Sequence, residues 1–201
     1  MLADKITATR LILAPFFFII YLFPRFFPVL SGGDSGGAWT VAVLWLIFIV
    51  SEISDILDGM IARKRGEASD FGKLFDPFAD TLTQLTYFFC FVIDGILPAF
   101  LFLAVLYREF SILFIRNRML KKGVSMGARI GGKVKTVTYV LAGALSLLAS
   151  SVKRLDIGMG LYNALTMAAV IIFVVSVIIA IISFFDYVSV YKKTVNIEKN
   201  M

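Results

Sequence analysis

A chain of 201 residues that is 59% hydrophobic and only 17% charged, with a mean hydropathy of +0.88, lies outside the composition of a water-soluble domain. The absence of histidine excludes histidine-based triads, histidine general bases and histidine-ligated metals, and the single cysteine, Cys90, excludes a disulfide within the chain. The net charge of +6 is spread among apolar runs rather than gathered in a polybasic arm, which suits a membrane surface and argues against nucleic acid.

A bilayer core of ~30 Å takes about 20 apolar residues per helix, so the length allows six spans and one domain over residues 1–201. The first apolar segment runs from Ile6 to Leu30 past Pro15, Pro24 and Pro28 and is expected to close in a flexible Gly-rich turn, residues 31–37. A second span covers Ala38 to Ile53, with helical pattern continuing to Arg63. After a charged loop from Lys64 to Lys73, a third span covers Leu74 to Ile93 and turns at Asp94-Gly95. The fourth, from Pro98 to Ile115, enters a basic connection that extends to Lys135. The fifth covers Val134 to Ser150 and the sixth Leu161 to Val190. The expectation is therefore an all-α, polytopic integral membrane protein with six transmembrane helices and both termini on one side. Seventeen of the twenty Lys and Arg fall on that side, leaving Arg25, Lys153 and Arg154 opposite, so the positive-inside rule makes it cytoplasmic.

Acidic residues are costly within a membrane, yet Glu52, Asp55, Asp58, Asp76 and Asp80 stand at the ends of spans two and three. Asp55 and Asp58 are three apart and Asp76 and Asp80 four apart, so each pair shares one helix face, and a short loop lets the faces meet. Left bare, four such carboxylates would repel one another, so they either share protons or bind cations. Without His or a suitable Cys, a hard divalent cation is indicated, Mg²⁺ or Mn²⁺ if phosphates are handled there. A transporter with an intramembrane carboxylate path is the alternative from a different class.

The pattern Asp55-x2-Asp58-Gly59-x2-Ala62-Arg63-x8-Gly72-x3-Asp76-x3-Asp80 resembles the signature of the CDP-alcohol phosphotransferase family at all eight fixed positions. Thr7-x2-Arg10-x4-Pro15, Arg108-Glu109-x6-Arg116, Gly123 and Gly132-Lys133-x-Lys135-Thr136 are similar to its bacterial phosphatidylglycerophosphate synthase branch. The resemblance implies a two-metal site on Asp55, Asp58, Asp76 and Asp80, with Asp80 also the general base. It implies a donor site for the CDP moiety at Thr7, Asp58, Gly59, Ala62, Arg63, Ser69 and Gly72. The implied reaction moves a phosphatidyl group from CDP-diacylglycerol to glycerol 3-phosphate and releases CMP, at the cytoplasmic face of a bacterial inner membrane, in a chain that can pair as a homodimer.

A phosphorylated acceptor needs cations, for which Arg116, Arg129, Lys133 and Lys135 are candidates. Two positions depart from the branch: Asp4 stands where Asn is expected, and Thr81 where Lys follows the fourth aspartate. With Phe75, Phe78, Tyr87, Phe88 and Tyr107 nearby, that loss of a cation leaves open a CDP-choline or other CDP-amino-alcohol phosphotransferase acting on diacylglycerol, its quaternary ammonium held by the rings.

Overall fold

The computed structural model describes the backbone of residues 2–27, 33–65, 70–121, 123–124 and 130–199, and the side chains of 7–27, 37–55, 72, 74–121, 123–124, 131–132 and 134–192. It is built from α-helices: α1 Leu2–Phe26, α2 Gly33–Arg65, α3 Asp70–Ile93, α4 Ala99–Lys121, α5 Ile130–Arg154 and α6 Met159–Lys199. Among the described residues four stretches are long and apolar enough to cross a membrane, Thr7–Phe26, Gly37–Asp55, Val134–Arg154 and Met159–Lys192. In α3 the polar residues Asp76, Asp80 and Gln84, and in α4 Arg108, Glu109 and Arg116, dilute the apolar run.

The helices extend further than the apolar runs because their end turns are polar. α3 begins at Asp70 rather than Leu74, α4 continues to Lys121, and α5 starts at Ile130, so much of the expected basic connection is helical. The Gly-rich segment departs most from expectation, since α2 already begins at Gly33. Gly37 supplies a physical reason: a Cβ there would sit 2.7 Å from the carbonyl oxygen of Arg154, so only glycine lets the start of α2 touch the end of α5. Pro15 and Pro24 lie inside α1 without ending it, as neighbouring helices allow for prolines at membrane depth.

The expected turn at Asp94-Gly95 is present and has a defined form. Gly95 adopts φ 73°, its N–H donates to the Val92 carbonyl at 3.0 Å, and the Ile96 N–H donates to the Phe91 carbonyl at 2.9 Å, a Schellman cap of α3.

Bonds between helices fix the register of the bundle. At one end Arg10 of α1 meets Asp55 of α2 and Asp76 of α3. At the other, the hydroxyl of Tyr21 donates to Asp94 at 2.8 Å and contacts Ser150 Oγ at 3.0 Å, while Trp45 Nε1 donates to Ser151 Oγ at 3.0 Å. Between them lies an aromatic core in which Tyr87 packs on Phe17 and Phe48, and Phe88 on Tyr139 and Phe173. Cys90 is buried in this core, as expected for a small apolar residue.

Candidate active site

Helical spacing carries Asp55 to the inner face of α2 and Asp76 to that of α3, and one side chain of α1 joins them. Arg10, 2% exposed, donates from Nη1 to Asp55 Oδ1 and from Nη2 to Asp76 Oδ1, the latter at 2.5 Å. One planar guanidinium reaching both shows that carboxylates 21 positions apart face a common point. Their side chains remain 35% and 49% exposed, open to an ion from solvent.

One turn beyond Asp76, Asp80 accepts a hydrogen bond from Gln84 Nε2 at 3.0 Å and faces a cavity of about 150 Å³. Its walls carry three cations, Arg108 and Arg116 of α4 and Lys135 of α5, together with the acid Glu109, and Tyr187 of α6 closes it. Two of these cations share a buried acid. Glu109 accepts from Arg108 Nη1 at 2.9 Å on both oxygens, from Lys135 Nζ at 3.0 Å and from the Tyr139 hydroxyl at 3.2 Å. Arg108 also donates to the Ala180 carbonyl and Ser183 Oγ, at 3.1 and 3.3 Å, fastening α4 to α6. Arg116 differs: Nη2 donates to the Tyr187 hydroxyl at 3.0 Å, and Nε is buried without a partner among the described residues. A buried donor without a partner is costly unless a ligand accepts from it.

Small residues bring α5 close enough to complete the wall. At Gly131 a Cβ would lie 3.3 Å from the Ser183 side chain, and Gly132 lines the cavity itself.

The cavity thus joins Asp80 to Arg116 and Lys135, two of the four acceptor cations expected from the sequence. Arg129, Ser69 and the side chains of Lys133, Asp58, Gly59, Ala62 and Arg63 lie outside the described residues. Gly72 is half-buried near the start of α3, and Thr7 is buried one turn before Arg10. Thr81, the departure from the branch pattern, lines the cavity. The rings considered for a quaternary ammonium do not: Tyr87 and Phe88 are core residues, Phe78 and Tyr107 are exposed, and Tyr187 is the one aromatic among the described residues of the lining.

Arg10, Arg108, Glu109 and Tyr187 have roles in the structure that the sequence did not assign. A charge inside an apolar run was the available signal for the first three; Tyr187 had none.

Among the described residues no three acids gather closely enough to hold a metal ion, but Asp58 is outside that set. The donor chemistry fits a hard divalent cation: carboxylate oxygens of α2 and α3 already converge on a cationic group, with Asp80 one turn away. The arrangement can hold a cation, accept a proton at Asp80 and seat an anion against Arg116 and Lys135.

A sequence profile described as CDP-alcohol phosphatidyltransferase matches residues 1–182. The chain is 37% identical over 191 residues to a CDP-diacylglycerol–glycerol-3-phosphate 3-phosphatidyltransferase of Treponema pallidum, covering 94% of this chain and 88% of the relative. It is 30% identical over 188 residues to a probable phosphatidylglycerophosphate synthase of Mycobacterium tuberculosis, covering 94% and 80%. A Bacillus subtilis CDP-diacylglycerol–glycerol-3-phosphate 3-phosphatidyltransferase is 32% identical over 147 residues, covering 73% and 76%.

Proposed function

We propose, since the chain belongs to the CDP-alcohol phosphatidyltransferase family, that it transfers a phosphatidyl group from CDP-diacylglycerol to glycerol 3-phosphate. It is a membrane transferase of phospholipid biosynthesis. The observation that carries the choice of acceptor is the cavity beside Asp80. Its volume of about 150 Å³ is roughly ten times what one water needs, and three cations wall it. Arg116 carries the unsatisfied donor that an acceptor phosphate would fill, and Lys135 supplies a second charge-assisted bond. A quaternary ammonium would meet like charge there, which disfavours the choline reading.

With the acceptor phosphate seated on these cations, its hydroxyl lies toward Asp80. Asp80 takes the hydroxyl proton as the oxygen attacks the phosphorus next to diacylglycerol. The new P–O bond forms as the anhydride P–O bond breaks, and the electron pair leaves on the phosphate of CMP. Asp55, Asp58, Asp76 and Asp80 would hold Mg²⁺ or Mn²⁺, two ions in the full site, whose charge neutralises the diphosphate and the leaving group. Thr7, Asp58, Gly59, Ala62, Arg63, Ser69 and Gly72 form the donor side, where small residues admit the nucleotide close to the helix and Arg63 pairs with the diphosphate.

In the same reading all six helices cross the membrane as one domain. α3 and α4 then keep their polar residues toward the site, which faces the cytoplasm of a bacterial inner membrane, and two copies can pair as a homodimer. The clustering of Lys and Arg at that end supports the orientation.

The purified protein, given CDP-diacylglycerol and Mg²⁺ with glycerol 3-phosphate, choline, inositol phosphate or phosphatidylglycerol in turn, should release CMP fastest with glycerol 3-phosphate. The product should have the mass of phosphatidylglycerophosphate, and excess chelator should abolish its formation. Production of phosphatidylcholine from CDP-choline and diacylglycerol, with no use of glycerol 3-phosphate, would reject the proposed reaction.

A further inference from the structure

Arg25, Lys153 and Arg154 are the three basic residues that the positive-inside pattern leaves at the end of the bundle away from the carboxylates. They come from two helices more than a hundred positions apart, yet all three line one open cavity of about 540 Å³. From Arg10 to Arg25 the rise of α1 is about 22 Å, so this cavity is distinct from the one beside Asp80.

We propose that this cavity binds the phosphate of an anionic glycerophospholipid in the leaflet opposite the active site. Depth is the first argument. Arg25 lies in the last turn of the span Thr7–Phe26, and Lys153 and Arg154 end the span Val134–Arg154, which sets all three at headgroup level. Trp39 and Tyr162, near the starts of the adjoining spans, mark the same interface.

Charge is the second. None of the three cations has a carboxylate within ion-pair distance among the described residues, although Asp94 lines the same cavity. Asp94 is instead engaged by the Tyr21 hydroxyl at 2.8 Å. The cavity therefore keeps a positive excess that an anion would neutralise.

Pre-organisation is the third. The Arg154 guanidinium lies 4.5 Å from the centre of the buried Tyr21 ring, donates from Nε to Ser150 Oγ at 3.1 Å and from Nη2 to the Tyr21 carbonyl at 2.8 Å. Its Nη1 makes no hydrogen bond among the described residues, so the group is held in place with a donor to spare. Arginines that merely snorkel to water need no such fastening. Leu22 and Ile93 form an apolar ledge beside the cations, suited to the glycerol and first acyl carbons of a lipid rather than to a free ion.

The test is native mass spectrometry of the full chain in a neutral detergent, titrated with dioleoyl phosphatidylglycerol, dioleoyl phosphatidylcholine or inorganic phosphate. Arg25→Gln combined with Lys153→Gln carries the comparison, because neither side chain makes a hydrogen bond among the described residues and both are exposed. The wild type should retain one phosphatidylglycerol more than the double variant, or bind its tightest copy at least tenfold more strongly, with phosphatidylcholine weaker in both. Arg154→Gln should lose at least as much. Equal phosphatidylglycerol binding by wild type and double variant would overturn the site. Phosphatidylcholine held as tightly as phosphatidylglycerol would overturn its anion preference, and displacement of the lipid by equimolar inorganic phosphate would overturn the lipid assignment.

Discussion

Arg10 holds a full charge at 2% exposure inside α1 and directs it at Asp55 and Asp76, so it offsets the repulsion between two carboxylates that the packing of different helices brings close. Truncating it strands those acids unless a divalent ion replaces the charge. Breaking a buried pair costs about 3–5 kcal/mol, and the partial exposure of both acids lowers that to roughly 1–3 kcal/mol. Arg10→Gln should therefore melt earlier than wild type in chelator, and Mg²⁺ should recover most of the difference. Equal melting temperatures in chelator would remove this role from Arg10. Asp80 differs in that it faces the cavity. Asp80→Asn keeps the shape and the Gln84 contact but cannot take a proton, so turnover should fall by about 10²–10⁴ while binding of CDP-diacylglycerol changes only a few-fold. Near-normal turnover would show that another group is the base.

The helices carry the site because they approach closely where it matters. Gly37 lies against the Arg154 carbonyl, a backbone atom that cannot rotate away, so Gly37→Ala should destabilise the protein by about 1–3 kcal/mol. Gly160 in α6 has open space around its Cα, and Gly160→Ala should be neutral or slightly stabilising. Thermal unfolding of both variants checks the contrast; equal shifts would argue against the close α2–α5 contact. The order of the six helices was legible in the sequence, four of them as apolar spans, whereas their ends were not. End turns such as Asp70–Lys73 and Ile130–Lys133 hold one large apolar residue each, too few to show a helical period, and the run at 33–37 has turn composition although Gly37 serves packing. The meeting of Asp55 with Asp76 was legible from the helical spacing of the acids. The Arg10 bridge and the bond of Glu109 to Lys135 were not, because these partners lie 26 to 66 positions apart and only the packed bundle brings them together.

At the scale of the molecule, the two ends of the bundle divide the chemistry. Carboxylates and the Asp80 cavity occupy one end, and the Tyr21–Asp94 contact with the three remaining cations occupies the other. Since Cys90 is fully buried, an introduced cysteine can report sidedness with little background. Ala68→Cys should resist an impermeant thiol reagent on intact cells, and Ser35→Cys should react; the reverse pattern would put the active site outside. In the proposed reaction the cavity beside Asp80 seats the acceptor phosphate, and Arg116 is the side chain that probes this, because Tyr187 is its hydrogen-bond partner among the described residues. Losing a charge-assisted bond costs about 1.5–3 kcal/mol, or one to two decades in affinity. At saturating CDP-diacylglycerol, Arg116→Gln should raise the KM for glycerol 3-phosphate at least tenfold with kcat changed only a few-fold. An unchanged KM would place the acceptor phosphate elsewhere.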